Sequence, residues 1–585
     1  MSPPSTHHDL VVRGGTVVDG TGRPARNADV AVRDGRITAV GRVPGRGAQE
    51  IDARGLVVAP GFIDPHTHLD ANLFWDPALT PSSTMGVTTV VMANCGYGLA
   101  PVADDAARAY VVDVLATVEE VPRDAIERCV PFGWRTFAEY AAVVDTVPKA
   151  LNVVLQVGHV PLRTAVMGPQ AARERPASAE ERRRIAALVT AGLEAGAVGF
   201  STDQVVGNVG PGGSALPGQV AEPEELLAVA GALKAGPGPG LFTMAPAALL
   251  QGRSERLADL DWHLHLAATS QRPVVVGPVF DRRFDPGIGP DLVDTICRRS
   301  RPRARVVPQI STRVFELWGR LDGSGVVVRS LPTLRRAARD GHRGLGALAA
   351  DEAGRARLRE EAAALTPHPV WSGSFDHVTV RYSPTRPDLC GRTVAAIAAE
   401  SGDGRGPTDA LLDLAVADGF ETQFASEMAN GDDDRLAEMV AHPGAMIGAS
   451  DAGAHVLSNT DSCYGLWVLE HWVRRRAVLT LERAVFELTA RQADLFALGD
   501  RGRLVPGLAA DLVVFDIDQV TTGPVRFVDD LPGGGRRLVP GASGIHATVV
   551  NGAVTDSGAM VTGARAGRRL VPAADAGRAT GRQPS

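Results

Sequence analysis

Between residues 61 and 503, short Val-rich runs alternate with longer Ala/Arg/Glu/Leu segments of helical period, which leaves few folds open to the chain. "GVTTVVMANCG" is followed by "ARAYVVDVLATVEE", "LNVVLQVGH" by "SAEERRRIAALVTAGLEAG", and "AVGFST" by "EPEELLAVAGALKAG". "RPVVVGPVF", "ARVVPQIS" and "AMIGASD" come later. Such alternation is the pattern of parallel βα units, and its length suits an α/β fold built on a (β/α)8 TIM-like barrel with insertions. The whole chain has 585 residues, more than one hydrophobic core usually serves unless that core is a large barrel.

The two ends read differently. Residues 8–60 and 504–570 carry Val/Ile runs punctuated by Gly and Asp-Gly, as in "DLVVRGGTVVDGTG" and "LVPGLAADLVVFD", a hairpin pattern. Strands at opposite ends of a chain can pair into one small sheet domain, because termini often lie close together. Residues 1–7 and 571–585 read as disordered. The Arg/Ala-rich stretch 320–370 reads as the long insertion, and the Pro/Gly-rich stretches 207–218 and 531–543 read as loops.

In a barrel of this kind chemistry sits where strands end and loops begin. The first run ends in His66-Thr67-His68, and residues two apart on a strand point to the same side. The second ends in Asn94-Cys95-Gly96, the third in His159, and the last in Asp451 with His455 four residues on. Singly, each has a bland explanation: a buried cysteine is usually a small apolar filler, and Ser-Asp is often only a turn. Together, His, His, Cys and Asp at strand ends point to a divalent metal, with zinc the best match to that donor set. Asn94, Tyr97, His159, Arg163, Gln309 and His455 are candidate substrate-binding residues.

Composition narrows the partners. Formal charge is −7 and no basic block interleaves with aromatics, which argues against nucleic acid and for a small-molecule substrate. The N-terminus has no basic start, and no apolar run reaches the roughly 18 residues of a membrane span, so neither a signal peptide nor a membrane partner is expected. Five scattered cysteines do not make a disulfide scaffold, and the cytoplasm is the expected compartment. Whether the chain forms a homo-oligomer is left open.

"VVAPGFIDPHTHLD" at 57–70 resembles the first-strand signature of the amidohydrolase superfamily. "GVTTVVMANCGYGLAP", "VGHVPLR", "EAGAVGFST", "GASDAG" and the closing "RGRLVPGLAADLVVFD" resemble its N-acyl-D-amino-acid deacylase (D-aminoacylase) branch, in the order of that family. The resemblance implies a zinc-dependent hydrolase of a linear amide, with a barrel over 61–503 and a small β-sandwich made by both termini. It implies His66, His68, Cys95 and Asp451 as metal ligands, with Asp451 also the catalytic base. Many relatives bridge two metals with a carboxylated lysine. The chain has two lysines, Lys149 and Lys234, neither placed for that role, and a cysteine is the branch's substitute.

The pattern departs from the family at two points. The branch takes two further histidine ligands from the fifth and sixth strands. Here "GLFTMAPA" and "RPVVVGPVF" offer Met244 and Pro278, while His263 and His265 fall in a helical segment. One zinc ion, not two, is therefore expected. The segment after the late aspartate, "HVLSNTDSCYG", also lacks the arginine that holds a substrate carboxylate in the branch. Two rival readings follow: action on another C–N bond, such as a cyclic amide or a specialised metabolite, or a catalytically dead binding scaffold.

Overall fold

The computed structural model describes residues 7–323, 325–366, 371–401, 404–558 and 560–573. Its centre is parallel β-structure in two arcs. Phe62–Asp64, Val87–Met92 and Asn152–Leu155 pair in that order. Val157–Gly158, Gly199–Asp203, Leu241–Ala245, Val274–Val279, Val306–Ile310 and Met446–Ile447 form the second arc. Only Gln156 separates the third strand of the first arc from the start of the second. At the other end a parallel bridge joins Thr67 to Ala452, just beyond the first and last strands.

The packing explains why these runs are so rich in Val and Ile. Ile63, Val91, Val154, Val198, Leu241, Val275, Val307 and Met446, one from each strand position, meet in a single buried cluster with Phe496. The opposite faces pack against helices such as Asp105–Val118, Ala179–Glu194 and Pro223–Ala235 in a larger core. The apolar residues of each strand are thus shared between two layers, one on each face of the parallel β-structure.

Both chain ends contribute to one eight-stranded sheet. Val57–Pro60 pairs antiparallel with Leu512–Phe515, which pairs in turn with Ile545–Val550. His8–Val17 pairs with Gly47–Asp52 before a register shift at Val12/Gly15 and with Val57–Pro60 after it. Gly14, at φ +66°, makes that shift possible.

The "RGRLVPGLAADLVVFD" segment has a clear physical task. Asp511 is buried at the junction of sheet and barrel, where Arg501 Nη1 donates to it at 2.5 Å and Asn152 Nδ2 at 2.8 Å. The Asn551 N–H donates to its other oxygen at 2.6 Å. Asp511→Asn takes the buried carboxylate from the Arg501 guanidinium and leaves it only the half-exposed Asp500 at 3.2 Å, so a loss of roughly 1.5–3 kcal/mol in unfolding free energy is expected from urea denaturation. An unchanged midpoint would show that the junction does not depend on this pair.

Three expectations need revision. The insertion is longer than 320–370 and has strand character. Between Val306–Ile310 and Met446–Ile447 lies an antiparallel sheet of Phe315–Gly319, Gln423–Ala429 and Val378–Tyr382. Helices from Val326–Ser330 to Pro407–Ala417 pack with it around a core of their own, including Leu331, Leu345, Leu358, Leu411 and Phe424. Second, 531–543 is not a loop: Gly535–Ser543 pairs with Thr521–Leu531 as a ribbon. Its Gly and Pro content hid a strand pinned through Arg537, which bonds Asp530 at 2.8 Å and the Thr80 carbonyl at 2.9 Å. Third, residues up to 570 do not all belong to the terminal sheet. Gly567 and Arg569 bridge to Lys149 and Val153 beside the third barrel strand. Of the ends expected to be disordered, 1–6 and 574–585 lie outside the described residues. His7 accepts a hydrogen bond from Arg33, and Val571 lies against Gly196. Among the described residues no helix is long and apolar enough to cross a membrane.

Candidate metal centre

His66 and His68 follow the first strand, and the segment that bears Asp451 lies alongside them. The Ser450 hydroxyl donates to the His66 carbonyl at 3.0 Å, and the His68 N–H donates to the Ala452 carbonyl at 2.8 Å. Thr67 turns the other way and donates to the Val91 carbonyl at 2.7 Å. This side-by-side packing puts both imidazoles against one carboxylate oxygen. Asp451 Oδ1 lies 3.2 Å from His66 Nε2 and 3.8 Å from His68 Nε2.

Cys95 enters from the second strand on a strained turn. Ala93, Cys95 and Gly96 have φ of +61°, +53° and +80°. Two non-glycine residues in this region cost free energy that the surroundings must offset. Ser201 does so, accepting from the Gly96 N–H at 3.0 Å and donating to the Ala93 carbonyl. Asp70 also accepts from the Ala93 N–H at 2.8 Å. The turn brings Cys95 Sγ to 3.4 Å from His66 Nε2. The ligand atoms of His66, His68 and Cys95 lie within 4.8 Å of one another.

The electrostatics of this cluster suit a cation. Asp203 is held by the Tyr97 hydroxyl, the Asn208 amide at 2.7 Å and the Val205 N–H at 2.7 Å. Glu119, at the end of the helix Asp105–Val118, faces His68 Nδ1 at 3.3 Å and His455 Nε2 at 3.9 Å. None of these partners carries a fixed positive charge. Burial, with Asp451 and Asp203 adding to it, pushes the Glu119 carboxyl well above the usual range. Burial, then Asp451, Asp203 and Glu119, pushes the Cys95 thiol well above its own. Burial and the neighbouring His66 and His455 keep His68 neutral, its ligand form. A divalent ion among these donors would reverse the cost to thiol and carboxylates at once, so the residues present fit a metal.

The other expected site residues sort by what their polar atoms already do. Gln309 donates through Nε2 to the Gly448 carbonyl, which turns its Oε1 toward His66 Nδ1 at 3.1 Å. That contact puts the ring proton on Nδ1 and leaves Nε2 bare toward Cys95 and Asp451. Tyr97 packs beside His68, ring centroids 6.1 Å apart, with its hydroxyl given to Asp203. His455 lies at the same edge with its side chain 30% exposed, open to a ligand. The placement of Asn94, His159 and Arg163 does not match the expected contact with substrate. Asn94 is fully buried; its amide donates to the Val91 carbonyl at 3.0 Å and accepts from Gln156 at 3.0 Å. Both His159 nitrogens are taken, by Thr202 Oγ1 at 2.8 Å and Glu225 Oε1 at 2.7 Å. Arg163 pairs with the same Glu225 and bonds the Ala172 carbonyl at 3.2 Å. These three form a floor under the Cys95 turn, where Gly96 leaves no room for a side chain between Thr202 and His159.

Met244 is buried in the strand Leu241–Ala245, and Pro278 lies in Val274–Val279. His263 and His265 lie on the helix Arg253–Ser270; His263 faces Asp259 at 3.6 Å and His265 packs on Trp262. Reading strand ends alone missed Glu119 and Asp203. Asp203 ends the strand Gly199–Asp203, one residue past "GFST". Glu119 and Glu120 form an acidic pair at a helix C-terminus, where the helix dipole disfavours negative charge, and that misfit was the available signal.

The "Amidohydrolase family" model matches residues 49–325 and 380–556, and the unmatched interval falls within the insertion. The N-acyl-D-glutamate deacylase of Alcaligenes xylosoxydans xylosoxydans is 30% identical over 530 residues, covering 88% of each chain. The D-aminoacylase of the same organism is 29% identical over 568 residues, covering 96% of this chain and 97% of its own. Among solved structures, a Bordetella bronchiseptica N-acyl-D-glutamate deacylase in complex with zinc and a phosphonate mimic of the tetrahedral intermediate aligns with TM-score 0.65. It is 27% identical and covers 97% of this chain and 100% of its own. A D-aminoacylase whose binuclear metal centre is described by one-metal activation and second-metal attenuation aligns with TM-score 0.64 at 27% identity, covering 96% of this chain and 99% of its own. With the His-x-His, Asn-Cys-Gly and Ser-Asp segments gathered at one place, the chain belongs to the amidohydrolase family, in the N-acyl-D-amino-acid deacylase branch of metal-dependent enzymes acting on carbon–nitrogen bonds other than peptide bonds.

Proposed function

We propose that this chain hydrolyses the linear amide of an N-acyl amino acid, using one zinc ion held by His66, His68, Cys95 and Asp451. The observation that carries this reading is the convergence of two bare imidazole nitrogens and a thiol beside one carboxylate oxygen. We read the two parallel arcs, bridged at Thr67 and Ala452, as one closed eight-stranded barrel with the site at its C-terminal face. A zinc ion bound there supplies Lewis-acid polarisation of the amide carbonyl and lowers the pKa of water at the site. Asp451 takes the proton of the attacking water and passes it to the leaving nitrogen. Gln309 keeps His66 in the tautomer that presents Nε2. Tyr97 and Asp203 form a buried wall beside His68, and His455, partly exposed, faces the incoming substrate. One ion rather than two is supported by Met244 and Pro278, neither of which offers a nitrogen or carboxylate donor.

A second reading, action on another C–N bond, has one observation in its favour. The arginines near the late aspartate are already engaged: Arg313 lies 3.3 Å from Asp461, and Arg537 bonds Asp530 and Thr80. Neither is ready-made for a substrate carboxylate. A panel of N-acyl-D-amino acids, their L-enantiomers and cyclic amides separates the two. Turnover of a linear N-acyl amino acid supports the first reading; turnover of cyclic amides alone overturns it.

A further inference from the structure

Each histidine of the cluster has a polar side chain behind its Nδ1, and one of the two is an acid in an unfavourable place. His66 has Gln309 Oε1 on its Nδ1 at 3.1 Å. Glu119 Oε1 lies 3.3 Å from His68 Nδ1, a close approach rather than a formed hydrogen bond, and both His68 Nδ1 and Glu119 Oε2 are buried without a hydrogen-bond partner. Glu119 is 2% exposed and caps a helix C-terminus, where neither desolvation nor the dipole favours a carboxylate. The same corner grips the segment that carries Asp451. The His455 N–H donates to the Glu119 carbonyl at 2.6 Å, and the Ser458 hydroxyl donates to Glu120 at 2.7 Å. Glu120, Asp451 and His455 all have positive φ, between +47° and +56°, so the two turns are shaped to meet.

We propose that Glu119 is the positioning residue of His68: its carboxylate holds the proton on Nδ1, presents Nε2 to the metal, and ties that ring to the segment bearing Asp451. The inference rests on the metal-site reading above. A partner behind a ligating imidazole fixes its tautomer and raises its basicity, and losing such a partner costs about 10–100-fold in metal affinity. Glutamine in place of Glu119 keeps an oxygen that accepts from Nδ1–H, as Gln309 already does for His66.

The test uses the full chain as wild type, Glu119→Gln, Glu119→Ala and His68→Ala. Zinc affinity is read by competition with a chromophoric chelator. The His68 tautomer is read by nitrogen-15 NMR of the metal-free protein at alkaline pH, where Glu119 is a carboxylate, with His68→Ala assigning the signal. The expected result is a zinc affinity about 10–100-fold weaker in Glu119→Ala, within a few-fold of wild type in Glu119→Gln, and a single Nδ1–H tautomer of His68 that becomes mixed only in Glu119→Ala. Wild-type affinity and tautomer in Glu119→Ala overturn the proposal. So does an equal, larger loss in both Glu119 variants together with loss of a bound ion, which would make Glu119 a ligand. If Glu119→Ala does not fold, a mixed tautomer in Glu119→Gln overturns it and a single one supports it. If the wild type binds no zinc, the metal-site reading fails by itself, and the tautomer comparison still decides whether Glu119 positions His68.

Discussion

Asp451→Asn lowers the rate of amide hydrolysis by roughly 10²–10⁴-fold in metal-loaded protein and leaves the fold intact. The loss comes from proton transfer: an amide has nearly the same shape as the carboxylate but does not take up a proton at neutral pH. It is also a weaker ligand between His66 Nε2 at 3.2 Å and His68 Nε2 at 3.8 Å, so some metal affinity goes with it. The fold tolerates the change because Asp451 sits at φ +47°, a region asparagine enters as readily as aspartate. Added zinc does not restore the rate, since the missing function is a base. Activity within a few-fold of wild type would remove Asp451 from the proposed role. The other carboxylates of the cluster, Glu119 and Asp203, are spoken for by His68 and Tyr97.

His66→Ala abolishes activity at ambient zinc and recovers part of it at high zinc. His66 Nε2 faces both Cys95 Sγ at 3.4 Å and Asp451 Oδ1, so its loss opens the middle of the donor set. Losing a direct ligand should exceed the roughly 10–100-fold in metal affinity that losing an outer partner costs. Gln309 Oε1 is also left buried without its partner, a destabilisation of about 1–3 kcal/mol. A zinc titration of activity separates this variant from Asp451→Asn: rescue at high zinc is expected only for His66→Ala. A variant as active as wild type without added zinc would place the metal elsewhere.

The legible part of this molecule is the part written at strand ends. His66, His68, Cys95 and Asp451 each follow a Val- or Ile-rich run, and barrel geometry alone says such positions meet. Asn94 and His159 also follow strands, and Arg163 lies one helical turn further on, yet their polar atoms face Gln156, Thr202 and Glu225. Position along a strand does not say which layer a side chain serves. Gln309 shows the reverse, found by position but acting through His66. Glu119 escaped notice because it ends a helix whose apolar periodicity accounts for everything before it. The insertion was misjudged because its strands Phe315–Gly319, Val378–Tyr382 and Gln423–Ala429 pair over long sequence separations. Gly535–Ser543 was misjudged because Gly and Pro usually mark turns, and here they lie in a ribbon anchored through Arg537.

The central claim is that one zinc ion occupies the cluster of His66, His68, Cys95 and Asp451. Elemental analysis of the full-length protein, purified without chelators, tests it most directly. The account predicts one zinc per chain; metal-free protein that takes up no zinc, or two tightly held ions per chain, would contradict it.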